Sequence, residues 1–253
     1  MIVIKFGGHA MKSGSNSPWL DEMAQRWKAG EKFVIVHGGG PAIDQELRVK
    51  NIESTFEDGF RITTPEIMTI VEMVLTGTVL RSVVRSLKSV GLPAIGISGS
   101  DGGLLRVKSK SAGKYGLVGE VVSVNERILT TLIDAGFLPV VSPVSDDDSG
   151  NPLNINADLA AGAIAGALQA EQMLFLTDVP GIYARWPDQN SLISEITSSE
   201  LAAMSFSAGM IPKVEAAVQA IRLGARTSRV IDGNSQHAFS EALHGRGGTW
   251  VKP

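Results

Sequence analysis

Short apolar, largely β-branched runs alternate along this chain with stretches in which apolar residues recur every three or four positions. Ile2, Val3 and Ile4 form the first run, and residues 33–36, 92–97, 138–141, 172–177 and 229–231 form five more, with a short last run ending at Val251. Runs that are apolar without alternation suit strands buried on both faces of a parallel sheet. Between them the spacing predicts helices. One covers 18–28 with Leu20, Met23, Ala24 and Trp27 on its apolar face, and Pro41 opens a short one with Ile43 and Leu47. A long one runs from Pro65 toward Leu87, bent at Gly77, its apolar face suited to a core or a dimer seam. Asn125 caps another to Ala135, small residues fill 159–168, Thr197 or Ser198 opens a short one, and the last carries Val214, Ala217, Ala220 and Ile221. Residues 104–108 and 117–122 alternate like a hairpin around a solvated basic tip, Lys108, Lys110 and Lys114. A turn at Glu57-Asp58-Gly59 predicts a smaller hairpin. Strand and helix alternating in this way give an α/β fold.

Glycine clusters stand where strands end. Gly7 and Gly8 follow the first, Gly38-Gly39-Gly40 the second, and 98–103 the third. Glycine lets the backbone turn tightly and bring its N–H groups close to a ligand, and ligands of open α/β sheets bind beyond the carboxyl ends of the strands. Gly39 and Gly40 also precede a helix, whose N-terminus favours an anion. A plain tight turn is the alternative for either turn taken alone, and is a weaker one for both together. Lys5, at the end of an apolar strand beside such a turn, either snorkels to solvent or meets a phosphate or carboxylate.

Further along, Arg61 precedes Thr63-Thr64-Pro65-Glu66, where either threonine caps a helix and Glu66 completes a capping box with Thr63. The arginine forks onto a carboxylate or stays solvated. In Asn154-Ile155-Asn156-Ala157-Asp158, Asp158 is a plain N-cap or part of a site, and Asn154 and Asn156 read as ligand contacts. Lys213 falls in a helix's first turn, where a cation opposes the macrodipole unless an anion lies beside it. A turn from Asp178 to Tyr183 ends the fifth strand.

Composition removes several classes of function. Across 253 residues, 23 Lys and Arg stand against 26 Asp and Glu, a net charge of −3, which is wrong for a nucleic-acid surface. Cysteine is absent, so disulfides, thiolate metal sites and a thiol nucleophile are excluded. The four histidines lack metal-ligand spacing, and no metal site is expected. No signal peptide is visible, the longest apolar stretch, 159–168, is too short to span a membrane, and a reduced, cytoplasmic setting fits. A Walker A loop, the protein-kinase HRD and DFG set and the dinucleotide GxGxxG fingerprint are all missing, which counts against a nicotinamide-dependent oxidoreductase.

The motifs KFGGHAM, VIVHGGGPAID, GFRITTPEIM, GISGSDGGL, NINAD, LTDVPGIY, GMIPKVEAA and the final GGT, in this order over nearly the whole chain, resemble the amino-acid kinase superfamily, most closely its N-acetyl-L-glutamate kinase branch. The resemblance implies a three-layer αβα sandwich with an open, mainly parallel central sheet. It implies an N-terminal lobe, residues 1–170, for the acylated amino acid and dimerisation, and a C-terminal lobe, 171–253, for ATP. It implies phosphorylation of the γ-carboxylate of N-acetyl-L-glutamate, the second step of arginine biosynthesis, with ATP and with Mg²⁺ held mainly by the nucleotide phosphates. By the same resemblance Lys5 and Lys213 neutralise the transferring phosphoryl group and Asp158 orients them. Gly7, Gly8, Gly39 and Gly40 donate backbone hydrogen bonds, while Arg61, Asn154 and Asn156 hold the acyl amino acid. Thr177, Asp178, Gly181, Tyr183, Gly209 and Met210 approach the nucleotide. Relatives inhibited by arginine carry a helix ahead of the first strand; here Met1 opens that strand, which implies arginine-insensitivity and a homodimer. Leu80 stands where many relatives have Asn. A kinase for aminoadipate or glutamate linked to a carrier protein shares the 116–121 and 182–188 regions, and a non-catalytic effector-binding module on the same fold is the reading from another class. Retention of both lysines and Asp158 argues against the latter.

Overall fold

The computed structural model describes residues 1–7, 18–206, 210–235 and 237–253. Its spine is an eight-stranded sheet. In chain order the strands of the molecule are β1 (Ile2–Phe6), β2 (Phe33–His37), β3 (Phe56–Glu57), β4 (Phe60–Arg61), β5 (Ala94–Ser98), β6 (Leu105–Ser109), β7 (Val118–Val124), β8 (Leu138–Ser142), β9 (Val144–Asp146), β10 (Pro152–Ile155), β11 (Gln172–Thr177), β12 (Glu195–Thr197), β13 (Ser228–Asp232) and β14 (Thr249–Lys252). The spine runs β12-β14-β13-β11-β1-β2-β8-β5 and is parallel from β13 to β5, turning antiparallel between β13 and β14.

The helices are α1 (Pro18–Lys28), α2 (Gly40–Val49), α3 (Pro65–Glu72), α4 (Leu80–Ser89), α5 (Glu126–Asp134), α6 (Ala157–Ala167), α7 (Ser198–Ala203), α8 (Ile211–Arg222) and α9 (Ala238–Leu243). Side chains alternate across the central strands, so each face of the sheet has its own core. Val3, Val34, Val36, Met173 and Phe175 pack with residues of α5, α6 and α8 on one face. Ile4, Phe6, Phe33, Ile35 and Leu174 pack with Trp19 and Met23 of α1, Leu80 and Leu87 of α4, and Phe239 of α9 on the other. Because both faces are covered, the strands read as continuous apolar runs, and the three layers are those of an αβα sandwich. A second, four-stranded sheet, β6-β7-β10-β9, packs Val107, Leu153 and Ile155 into the α6 side of the core.

Local differences from the sequence reading have local causes. Thr63 cannot open α3, because its backbone pairs with 115–117: its N–H donates to the Tyr115 carbonyl at 3.0 Å and its carbonyl accepts from Leu117 at 2.7 Å. The cap passes to Thr64, whose hydroxyl accepts from the Ile67 N–H at 3.3 Å, and no Thr63–Glu66 box forms. The bend expected at Gly77 is a π-helical stretch, Met73–Val79, joining α3 to α4. The whole run, Pro65–Ser89, is longer than 159–168 and has the length and apolarity of a bilayer span. Met68, Val71, Leu75, Leu80, Val83 and Leu87 are nevertheless buried in the core of this sandwich. Asn125 stands at the start of α5 without capping it; its side-chain amide donates to the Gly102 carbonyl at 3.3 Å. The basic tip of the β6–β7 hairpin is paired as well as solvated, Lys108 with Glu120 at 3.0 Å and Lys114 with Glu57 at 2.8 Å and Asp58 at 2.9 Å.

Candidate active site

Strand β1 lies between β2 and β11, so the chain leaves the sheet in opposite directions at its carboxyl end, the place where a crevice opens in a doubly wound sheet. A cavity of about 340 Å³ occupies this place, and Lys5, Gly7, Gly38, Gly39, Gly40, Arg61, Asn154, Asn156, Asp158, Thr177, Asp178 and Lys213 all line it. Residues drawn from six parts of the sequence are thereby brought to one cavity.

At its base three charges meet. Asp158 lies in the first turn of α6, and its carboxylate is free for other partners because Asn156, not Asp158, caps the helix: the Asn156 side-chain oxygen accepts from the N–H of Asp158 at 2.9 Å and of Leu159 at 3.2 Å. Asn156 therefore serves the cap while still lining the cavity. Lys5 Nζ stands 2.8 Å from Asp158 Oδ1, an ion contact off hydrogen-bond angle, with both side chains buried. Lys213 Nζ donates to Asp158 Oδ2 at 3.2 Å and is 21% exposed. Burial alone would raise the Asp158 carboxyl, but the two ammonium groups outweigh it and hold it below the ordinary carboxylate range. The cluster carries one net positive charge, so it is built to receive an anion.

The glycines differ in what they do. A Cβ on Gly7 or Gly40 would meet nothing within 4 Å, so both leave open space at the cavity wall. A Cβ on Gly39 would strike the end of the Leu75 side chain, so this glycine packs α2 closely against the π-helical stretch. Gly40 opens α2, a helix of 10 residues whose positive end faces this wall. His37, at the end of β2, is fully buried, and its Nδ1 lies 2.9 Å from the Gly38 carbonyl oxygen. Burial pushes its imidazole down to about 4, with the Gly38 contact opposing, so Nδ1 carries the proton and donates. Local spacing does not distinguish His37, which only adjoins the Gly38-Gly39-Gly40 turn.

Arg61 is only 4% exposed and is held by Asp44 and Ser54. Asn154 donates through Nδ2 to Thr63 Oγ1 at 3.2 Å. Thr177 closes the turn after β11, its hydroxyl donating to the carbonyls of Val179 and Ile231. Gly181 is placed away from this cavity: a Cβ there would lie 2.6 Å from Thr249 Oγ1, and its glycine serves packing. Tyr183 and Met210 line a neighbouring cavity of about 350 Å³ with Val179, Trp186 and Phe206, on the other side of the same turn. Gly8 and Gly209 lie outside the described residues.

The fit of an anionic nucleotide rests on the net positive cluster, the open space over Gly7 and Gly40 and the adjoining aromatic cleft. A resident metal fits less well: among the described residues no three His, Asp or Glu side chains converge, and both Asp158 oxygens face lysines.

The Amino acid kinase family model matches residues 1–232. The chain is 46% identical to the acetylglutamate kinase of Beutenbergia cavernae, over 94% of this chain and 80% of that protein, and 44% identical to that of Corynebacterium efficiens, over 100% and 87%. In structure it resembles smu.665 of Streptococcus mutans, with a TM-score of 0.84 at 26% identity over 99% of this chain and 98% of the other. Carbamate kinase of Giardia lamblia bound to AMP-PNP shares the fold, with a TM-score of 0.73 at 21% identity over 99% and 97%. On the family model and these relatives, the chain belongs to the amino acid kinase family.

Proposed function

We propose that this enzyme transfers the γ-phosphoryl group of ATP to the γ-carboxylate of N-acetyl-L-glutamate, forming an acyl phosphate in the second step of arginine biosynthesis. The observation that carries the reading is the Lys5–Asp158–Lys213 cluster at the base of a glycine-walled cavity. A carboxylate acceptor is already ionised at neutral pH, so no general base is needed and none of the cluster has to act as one. The obstacle is charge: two unit charges 4 Å apart repel by about 4 kcal/mol at an effective dielectric of 20. Lys5 and Lys213 neutralise the phosphoryl oxygens in flight, and Asp158 holds the two ammonium groups in register between donor and acceptor. The amides of Gly39 and Gly40 and the space over Gly7 receive phosphate oxygens.

On the N-terminal side, residues 1–170, Arg61 takes the substrate's α-carboxylate and Asn154 and Asn156 its acyl amide. On the C-terminal side, 171–253, Thr177 and Asp178 face the nucleotide's phosphates and ribose, and the Tyr183–Met210 cleft takes its base. Mg²⁺, held mainly by the nucleotide phosphates, would supply further charge neutralisation there. The edge strand β5 is partly exposed along its whole length and apolar at Ile95 and Ile97, which supports a homodimer paired through this edge; sedimentation at the mass of one chain would contradict it.

Trapping with hydroxylamine tests the reaction. With ATP and Mg²⁺, N-acetylglutamate should yield a hydroxamate. Product only with aminoadipate linked to a carrier protein would move the acceptor to that class, and product with neither would sink the kinase assignment.

A further inference from the structure

Arg61 is more tightly held than a plain carboxylate receptor needs to be. Its Nη2 lies 2.7 Å from Asp44 Oδ1, its Nη1 donates to Ser54 Oγ, and its guanidinium stacks 4.6 Å from the centre of the Phe56 ring. Three different elements supply these contacts: Asp44 is on α2, Ser54 precedes the β3–β4 hairpin, and Phe56 is on β3, paired in register with Arg61 itself. Asp44 is the partly exposed member, 44% against 4% for the arginine. It lies one helical turn after Gly40, so α2 presents amides to the cavity at its start and fixes the arginine from the same face.

We propose that Asp44 is the positioning residue of the acyl-amino-acid subsite. With Ser54 and Phe56 it locks the guanidinium in one plane at the wall of the cavity that Arg61 lines, where its remaining N–H groups take a carboxylate. A guanidinium free to rotate would lose rotamer entropy on binding; one already clamped does not. The proposal rests on the assignment of N-acetylglutamate to this cavity.

Direct titration tests it without turnover. N-acetylglutamate is titrated calorimetrically into wild type, Asp44→Ala and Asp44→Asn, and the KM values of both substrates are measured by hydroxamate formation. Asp44→Ala should weaken N-acetylglutamate binding about tenfold, the size of one misplaced charge-assisted contact. The KM for ATP and kcat should stay within about twofold. Asp44→Asn keeps an oxygen acceptor for Nη2 and should recover most of the loss. Equal binding in all three proteins, or tighter binding in Asp44→Ala because its carboxylate competes with the ligand, overturns the proposal alone. Parallel loss of kcat and of both KM values marks a merely structural contact and overturns it too. Wild type that fails to bind N-acetylglutamate overturns the substrate assignment and this inference together.

Discussion

Lys213 Nζ reaches Asp158 Oδ2 at 3.2 Å from another helix and from 55 positions away in sequence. The contact closes a triad in which Asp158 keeps its second partner, Lys5, whatever happens to Lys213. Lys213→Ala therefore leaves no buried charge without a counter-ion, and it removes a cation from the first turn of α8, where the macrodipole disfavours one by roughly 0.3–1 kcal/mol. Turnover is expected to fall on the order of a hundredfold or more, as when a transition-state charge partner is removed, while the thermal midpoint shifts by a few degrees at most. Asp158→Ala should do both kinds of damage, because two ammonium groups then face each other with Lys5 buried; losing one partner of such a pair costs about 3–5 kcal/mol. A Lys213→Ala protein that loses stability in proportion to activity would mark a structural lysine.

The spacing between those two side chains depends on how closely α6 and α8 approach. Gly162 is one point of close contact: a Cβ there would lie 2.6 Å from the Ala216 carbonyl oxygen, a backbone atom that cannot step aside alone. Gly162→Ala should cost roughly 1–3 kcal/mol by overpacking and should also lower kcat, since pushing α8 outward carries Lys213 away from Asp158. Gly40→Ala makes the opposite case. Nothing stands within 4 Å of its Cβ, so unfolding by denaturant should be unchanged while substrate KM rises through the methyl's intrusion into the cavity. If Gly40→Ala is kinetically silent, the wall over α2 is not a ligand surface.

How much of this was readable beforehand follows from the range of the interactions. The apolar runs marked the central strands, 172–177 to the residue, because burial on both faces leaves an unbroken signal. Lys5, Gly7, Arg61, Asn154, Asp158 and Lys213 could be singled out because each sits at the end of a strand or the start of a helix, where local spacing is informative. What local spacing left open was the division of labour within a motif. Asn156 took the cap and freed Asp158; Thr64 took the cap because Thr63 was already paired with 115–117. Gly181 reads as part of a ligand turn and packs against Thr249, since glycine serves either purpose and only the neighbour 68 positions away decides. Asp44 gave no signal at all: an exposed-looking acid on a short helix acquires meaning only when the β3–β4 hairpin brings Arg61 to it.

His37 makes the fold sensitive to acid in a defined window. Its imidazole titrates near 4 in the folded chain against 6.5 ordinarily, because burial opposes the charged form. Between those values the unfolded chain binds a proton that the folded chain refuses. Stability from this residue is therefore full above pH 6.5 and is lost as pH falls toward 4, at up to about 1.4 kcal/mol per pH unit and roughly 3 kcal/mol in all. Asp158 does not share the window, since its carboxyl is held below its ordinary 3.8 and gives up its contribution only in stronger acid. His37→Asn retains a side-chain N–H for the Gly38 carbonyl and has nothing to titrate here. Urea unfolding measured from pH 7 to 4.5 should show a shallower decline for the variant than for wild type, even where the smaller side chain lowers stability at pH 7. Parallel declines would mean that His37 is protonated inside the fold or is reached by water, and the tautomer assigned at Gly38 would fall with it.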